Sequence, residues 1–278
     1  MPNQIVLIDC PDAKGLVYNI TKVIYDLGLN IISNHEFVDS NSGYFFMRTV
    51  LDGSHPEEEF KEKLEEVLPG DANIRLSALR KKSVVILATK EPHCLGDLLL
   101  RNSDGELPCD VKAVISNHDH LRGLTQSFGI PYHHISAEGL KREEHEEKIL
   151  DCLKDYEPEY LVLAKYMRIF TSGFIKHYPH RIINIHHSFL PAFVGASPYQ
   201  QAFERGVKVI GSTSHFVTEN LDQGPIIVQD VIPVNHTFTA TGMAQAGRDI
   251  EKNVLAKSLK LVLENRVFIY KDKTIVFD

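Results

Sequence analysis

At 278 residues the chain is longer than one average domain of roughly 100–200 residues and too short for three, so two domains are expected. With 43% hydrophobic and 24% charged residues, it falls outside the disordered and collagen-like classes. Thirty Lys and Arg against 37 Asp and Glu give a formal net charge of −7, which argues against a surface built to grip phosphate backbones, so no nucleic-acid partner is expected.

Gln4–Asp9 reads as a strand, and Gly15–Leu27 as a helix with Leu16, Ile20, Val23, Ile24 and Leu27 on one face. Asn30–Val38 and Tyr44–Leu51 are strands around the turn Asp39-Ser40-Asn41-Ser42-Gly43. Pro56–Leu68 is helical with acidic residues in its first turn, and Asn73–Leu79 is a strand. The order β-α-β-β-α-β is the ferredoxin-like split unit.

Arg80-Lys81-Lys82 marks a junction, with one domain over 1–82 and a second over 83–278. In the second, the strands are Ser83–Thr89, Val111–Ser116, Pro131–Ser136, Tyr160–Lys165 and Arg181–His186. Helices Cys94–Arg101, Leu121–Phe128 and Gly139–Lys154 alternate with them. That alternation predicts a Rossmann-like α/β domain: an open, mostly parallel sheet with right-handed crossovers and helices on both faces. Val209–Val217 and Pro225–Val234 are further strands. A helix over Thr239–Asn265, N-capped by Thr237 or Thr239, and a hairpin over Val267–Phe277 complete the chain.

The cysteines Cys10, Cys94, Cys109 and Cys152 form no C-x-x-C pair, so free, reduced thiols are expected. No stretch reaches 18 apolar residues and no leader pattern opens the chain, so neither a membrane partner nor export is expected, and a cytoplasmic location follows.

In an open α/β sheet reactive groups collect at the carboxyl ends of strands. Arg181-Ile182-Ile183-Asn184-Ile185-His186-His187-Ser188 runs from an apolar strand straight into Asn, His, His and Ser. Alternation puts Asn184 and His186 on one side and His187 on the other. Ser214-His215-Phe216-Val217 likewise leaves a strand for a polar loop in which Asp222 precedes Gly224-Pro225. Asn, His and Asp together supply an oxyanion donor, a proton carrier and a carboxylate to hold an imidazolium, the parts needed for attack on a carbonyl. Among the 14 histidines, those of Asn117-His118-Asp119-His120 and His133-His134 are the candidates to ligate zinc with His186 or His187. No H-E-x-x-H or equivalent spacing accompanies them, and no metal site is expected.

These residues carry a resemblance. Asn184-Ile185-His186-His187-Ser188-Phe189-Leu190-Pro191, Ser214-His215-Phe216-Val217 and Leu221-Asp222-Gln223-Gly224-Pro225 resemble the signature of the folate-dependent formyltransferase family. Leu163-Ala164-Lys165-Tyr166-Met167-Arg168-Ile169 is similar to that family's folate-pocket strand end. His93-Cys94-Leu95-Gly96-Asp97-Leu98-Leu99, Ser116-Asn117-His118-Asp119 and Gly247-Arg248-Asp249-Ile250-Glu251-Lys252-Asn253-Val254 fit its hydrolytic subgroup. Independently, Asp9-Cys10-Pro11-Asp12, Gly15-Leu16-Val17 and Asn30-Ile31 resemble the ACT domain, a small regulatory module. Ala13 stands where that family often has Arg.

The resemblance implies Asn184, His186 and Asp222 as catalytic residues. It places the folate substrate beside Met167, Arg168, Ile169 and Phe170 and the loop residues Thr218, Leu221 and Gly224. His215 is expected to buttress Asp222; His187 is open between a structural role and steering of the acceptor; Lys165 and Arg168 are open between a solvated face and attraction of the folate tail. The folate is the substrate, so no cofactor is implied.

Family members differ in acceptor. Those acting on glycinamide ribonucleotide have a glycine-rich turn after the first strand, where backbone N–H groups cradle a phosphate. Here the turn is Ala88-Thr89-Lys90-Glu91-Pro92-His93, with no glycine, a repelling carboxylate and a missing donor at Pro92. Members acting on tRNA carry a further C-terminal domain, which a chain of this length is not expected to hold. Water remains, which implies hydrolysis of 10-formyltetrahydrofolate to tetrahydrofolate and formate in one-carbon metabolism and purine supply. Transfer to an amine, glycinamide ribonucleotide or a sugar nucleotide, is the rival. A purely regulatory protein with a vestigial second half would lack one of Asn184, His186 and Asp222, and all three are present. The ACT resemblance implies amino-acid effectors, glycine or methionine, near Asp12, Gly15, Leu16, Asn30 and Ile31, and a homo-oligomer.

Overall fold

The structure, a computed structural model, describes residues 3–192 and 198–278. Two compact units emerge: Met1–Arg80 with Glu264–Phe268 and Ile275–Asp278, and Lys81–Leu263 with Ile269–Thr274. Beyond the junction at 82, residues near the C-terminus thus belong to the first unit.

In the first unit β1 (Gln4–Pro11), α1 (Leu16–Asp26), β2 (Asn30–Asp39), β3 (Tyr44–Asp52), α2 (Glu57–Glu65) and β4 (Asn73–Ala78) follow in the expected order. The antiparallel sheet runs β2-β3-β1-β4. Its helix-covered face buries Ile8, Met47 and Leu51 against Ile20, Ile24, Phe60 and Leu64. Strand alternation sends Phe46 and Arg48 to the opposite face. Phe46 meets Phe268 edge-on at 5.7 Å. Arg48 donates to the carbonyls of Glu264 (2.9 Å) and Asn265 (3.1 Å). Both faces are therefore covered, and that is why residues near the C-terminus count with this unit. Burial, then repulsion from Arg266, lowers the Arg48 guanidinium to about 10, so it still carries its charge at neutral pH.

In the second unit β5 (Lys82–Ala88), α3 (His93–Ser103), β6 (Cys109–Ser116), α4 (Arg122–Gln126), β7 (Tyr132–His134), α5 (Arg142–Lys154) and β8 (Tyr160–Ala164) are as expected. The chain continues through α6 (Ser172–Ile175), β9 (Ile182–His186), α7 (Pro198–Arg205), β10 (Val209–Phe216), β11 (Ile226–Pro233) and α8 (Ala240–Leu263). The sheet order is β11-β10-β9-β8-β5-β6-β7. Strands β5 to β9 pair in parallel, while β10 pairs antiparallel with both β9 and β11. The helices α6 and α7 were not foreseen: one is four residues long and the other carries only two buried residues, Pro198 and Ala202. Thr239 is the cap of α8, its Oγ1 accepting from Gly242 N at 3.0 Å, whereas Thr237 bonds Asn235. The chain closes with β12 (Val267–Tyr270) and β13 (Lys273–Val276), a two-stranded sheet.

Strand order reverses at β5, with β6 and β7 on one side and β8 and β9 on the other. Ligands of open α/β sheets bind at such switch points, beyond the carboxyl ends of the strands. Here those ends deliver Lys165 and His186.

Candidate active site

A cavity of about 340 Å³ opens where β8 and β9 end. Residues Tyr166–Phe170 form one wall and Val217–Asp222 another, and Asn184, His186, His187 and His215 also line it. Tyr166 stacks on Phe170 at 5.4 Å and Phe170 on Phe174 at 3.9 Å, a column of rings beneath the first wall. The segment after that wall is fastened by buried Glu146 of α5, whose carboxylate accepts from Thr171 N (2.8 Å) and from its hydroxyl.

The polar groups are set by strand register. β10 lies antiparallel to β9 with His215 directly opposite Asn184, so Asn184 Nδ2 meets His215 Nε2 at 3.2 Å. The other ring nitrogen, Nδ1, contacts the Phe216 carbonyl at 2.9 Å. Beyond β10 the chain turns back so tightly that Phe216 N bonds Pro225 O. That return brings Asp222, in left-handed backbone at φ 56°, to 3.3 Å from His186 Nδ1 and 3.7 Å from His215 Nε2. The neighbouring His186 and His215 imidazoles hold the Asp222 carboxyl well below the ordinary carboxylate range, outweighing the cost of partial burial. His186 Nε2 is buried with no hydrogen-bond partner among the described residues.

Asn184, His186 and Asp222 therefore converge, with His215 beside Asp222 as expected. Met167, Arg168, Ile169, Phe170, Thr218 and Leu221 line the cavity. Gly224 is not among the lining residues. A Cβ there would overlap the Phe216 carbonyl oxygen, so glycine is what permits the tight return. His187 departs from its expected direction: β9 ends at His186, alternation does not extend to it, and its ring stacks on His186 at 5.0 Å while lining the cavity. Burial, then the charges of Lys165 and His186, lower His187 to about 4, so it is neutral at pH 7.

Lys165 is not a solvated cation. It is 5% exposed, in left-handed backbone at φ 60°, and its ammonium lies 3.3 Å from Glu251 Oε2. Glu251, 1% exposed on α8, also bonds His93 Nε2 (2.7 Å) and Tyr199 OH (2.7 Å). Burial opposes its charge, but the His93 bond and Lys165 outweigh burial and lower it to about 2. His93 and Glu251 lie in motifs that resemble the hydrolytic subgroup, but neither they nor Tyr199 carry a role that the sequence alone assigns. The available signal was a carboxylate at a core position of α8, between Ile250 and Val254.

His93, Cys94 and Glu251 are the one group with metal-like spacing among the described residues, their ligand atoms within 4.8 Å. Lys165 already holds the carboxylate, and burial followed by Glu251 pushes the Cys94 thiol well up, away from thiolate. The donor set suits a hydrogen-bonded ion cluster rather than a metal. The four cysteines are free. His133 contacts Tyr156 OH at 2.6 Å. No helix among the described residues is long and apolar enough to cross a membrane.

In the first unit, Asp12 and Gly15 lie in the β1–α1 turn, Leu16 opens α1, and Asn30 and Ile31 open β2. Leu16 is a core residue, so its side chain is not available to a ligand; Asp12, Gly15 and Asn30 are exposed.

Residues 82–259 match the formyl transferase family and residues 4–69 the ACT domain. A formyltetrahydrofolate deformylase of Haemophilus influenzae is 53% identical over 273 residues, 98% of each chain. The crystal structure of a formyltetrahydrofolate deformylase from Pseudomonas syringae superposes with a TM-score of 0.95 at 40% identity, covering 100% of this chain and 95% of that one. A glycinamide ribonucleotide transformylase from Symbiobacterium toebii reaches 0.69 at 29% identity, covering 74% of this chain and 98% of that one. The chain belongs to the formyl transferase family, within the group of formyltetrahydrofolate deformylases that carry an ACT domain ahead of the formyl transferase domain.

Proposed function

We propose that this chain hydrolyses 10-formyltetrahydrofolate to tetrahydrofolate and formate, serving one-carbon metabolism and the formate supply of purine synthesis. The observation that carries the reading is the convergence of Asn184, His186 and Asp222 at a ring-walled cavity. The similarity to deformylases over nearly the whole chain supports it.

The pterin end lies between the walls 166–170 and 217–222, and the formyl group reaches Asn184 and His186. Asp222, held as a carboxylate, accepts a hydrogen bond from the attacking water and takes its proton, directly or through solvent, as the new C–O bond forms. Asn184 Nδ2 and protonated His186 donate to the oxyanion. The C–N bond then breaks, N10 takes the proton relayed by Asp222 or His186, and formate leaves. His215 holds Asn184 and Asp222 in place.

Water is the acceptor because the β5–α3 turn offers Glu91 and Pro92 where a phosphate would need backbone donors. Formate measured with 10-formyltetrahydrofolate and no added amine tests the reading; negligible release would favour transfer to an amine. For the ACT unit, we infer glycine or methionine as effectors bound around Asp12, Gly15 and Asn30. Pairing of two copies through that unit and a cytoplasmic location complete the proposal.

A further inference from the structure

We propose that the buried Lys165–Glu251 pair, with His93 and Tyr199, is the acceptor-specificity device of this site: Glu251 neutralises the ammonium that would otherwise hold an anionic second substrate. The inference rests on the hydrolytic reading above and deepens it. Lys165 and Arg168 are the two Lys or Arg side chains in the cavity lining. Lys165 is 5% exposed, and an ammonium removed from water demands a counter-charge. Here the counter-charge comes from the chain itself. Glu251 accepts from Lys165 and His93 on one oxygen and from Tyr199 on the other. Gly247, one turn earlier on α8, is what lets the Tyr199 ring cross so closely, since a Cβ there would overlap the ring and its hydroxyl. Glu91 repeats the pattern outside, 3.5 Å from His93 Nδ1 and 3.5 Å from Arg248 Nε. On that outer side an arriving phosphate or carboxylate meets the Glu91 carboxylate with Arg248 already paired to it, while buried Glu251 holds Lys165.

The same cluster positions His187. Its ring lies between His186 (5.0 Å) and Tyr199 (6.3 Å), and Tyr199 is tied to Glu251. Lys165, Glu251 and Tyr199 are thus positioning residues: they act through the charge beside the cavity. A small neutral acceptor, water, is admitted, and an anionic amine is not.

The test uses full-length protein with 10-formyltetrahydrofolate, inorganic phosphate as anion probe and 2-aminoethyl phosphate as phosphate-bearing amine. Wild type is expected to release formate, to resist phosphate and to formylate no amine. Glu251→Gln keeps the shape and frees Lys165. At unchanged KM for the folate, it is expected to become at least ten times more sensitive to phosphate and to divert a measurable share of formyl groups to the amine. Lys165→Met combined with Glu251→Gln removes the cation and is expected to abolish both gains. A folded Glu251→Gln variant with wild-type phosphate sensitivity and no amine product would overturn the inference. If Glu251→Gln does not fold, Tyr199→Phe, which loosens the pair without removing it, is expected to raise phosphate sensitivity about threefold, and no rise would overturn it. Absence of formate from the wild type would instead overturn the hydrolytic reading, so the two failures are distinct.

Discussion

His186 Nδ1 lies 3.3 Å from Asp222 Oδ2, and this one contact joins the end of a parallel strand to the return loop of an antiparallel one. In the proposed mechanism this contact engages Nδ1 and leaves Nε2, which has no hydrogen-bond partner among the described residues, for the formyl oxygen. Asp222 also compensates the positive charge His186 carries when both nitrogens are protonated.

Asn184 donates to the oxyanion in this account, and one such donor is typically worth a factor of about 10²–10³ in turnover. Asn184→Ala is expected to lower kcat by that factor with little change in KM, measured as steady-state formate release. Normal turnover would remove Asn184 from the mechanism.

Asp222→Asn is expected to bind the folate normally and release almost no formate, as judged by fluorescence titration beside a formate assay. Its stability has a pH signature. The native carboxyl titrates below its unfolded value of about 3.9, so the stability it adds is complete above that value and is lost as pH falls through the native one. The difference in denaturation midpoint between wild type and Asp222→Asn should therefore shrink as pH drops from 5 towards 2.

His187 shifts the other way in charge and the same way in stability. Lowered from 6.5 to about 4, it is neutral in the native protein where the unfolded chain binds a proton. Stability therefore rises with pH between about 4 and 6.5, by roughly 3 kcal/mol at most. Urea denaturation of His187→Gln across that window should show a flatter slope; an unchanged slope would mean the ring is not held as described.

Gly224→Ala places a Cβ onto the Phe216 carbonyl oxygen, a backbone atom that cannot move aside. The loop must shift, and Asp222 with it. We expect a loss of about 2 kcal/mol or more in stability, in line with other overpacked sites, and a larger fractional loss in kcat than in folate affinity.

Calorimetry of full-length protein with glycine and with methionine should detect binding that Asn30→Ala and Gly15→Val weaken. No heat with either amino acid up to millimolar concentration would remove both as effectors.

Much of this was legible in the sequence. Apolar runs such as Val84–Ala88 and Leu161–Ala164 are buried on both faces, and uninterrupted hydrophobicity is what a central parallel strand requires. Asn184 and His186 were legible because alternation puts them on one side of β9. Where β9 ends, so does the rule, and His187 turned back onto His186. The Glu251 cluster was hidden for a different reason. His93, Lys165, Tyr199 and Glu251 come from four separate elements, and no spacing rule links residues that only a folded sheet brings together. Lys165 misled because a lysine after a strand is ordinarily solvated, and here a buried carboxylate reverses that.

The central claim, that Asn184, His186 and Asp222 direct water onto a folate-borne formyl group, is tested most directly by acceptor-free turnover. Wild type, incubated with 10-formyltetrahydrofolate alone, should yield formate and tetrahydrofolate in equal amounts over many turnovers, and Asp222→Asn almost none. Substrate left intact by wild type until an amine is added, or equal formate from wild type and Asp222→Asn, would contradict it.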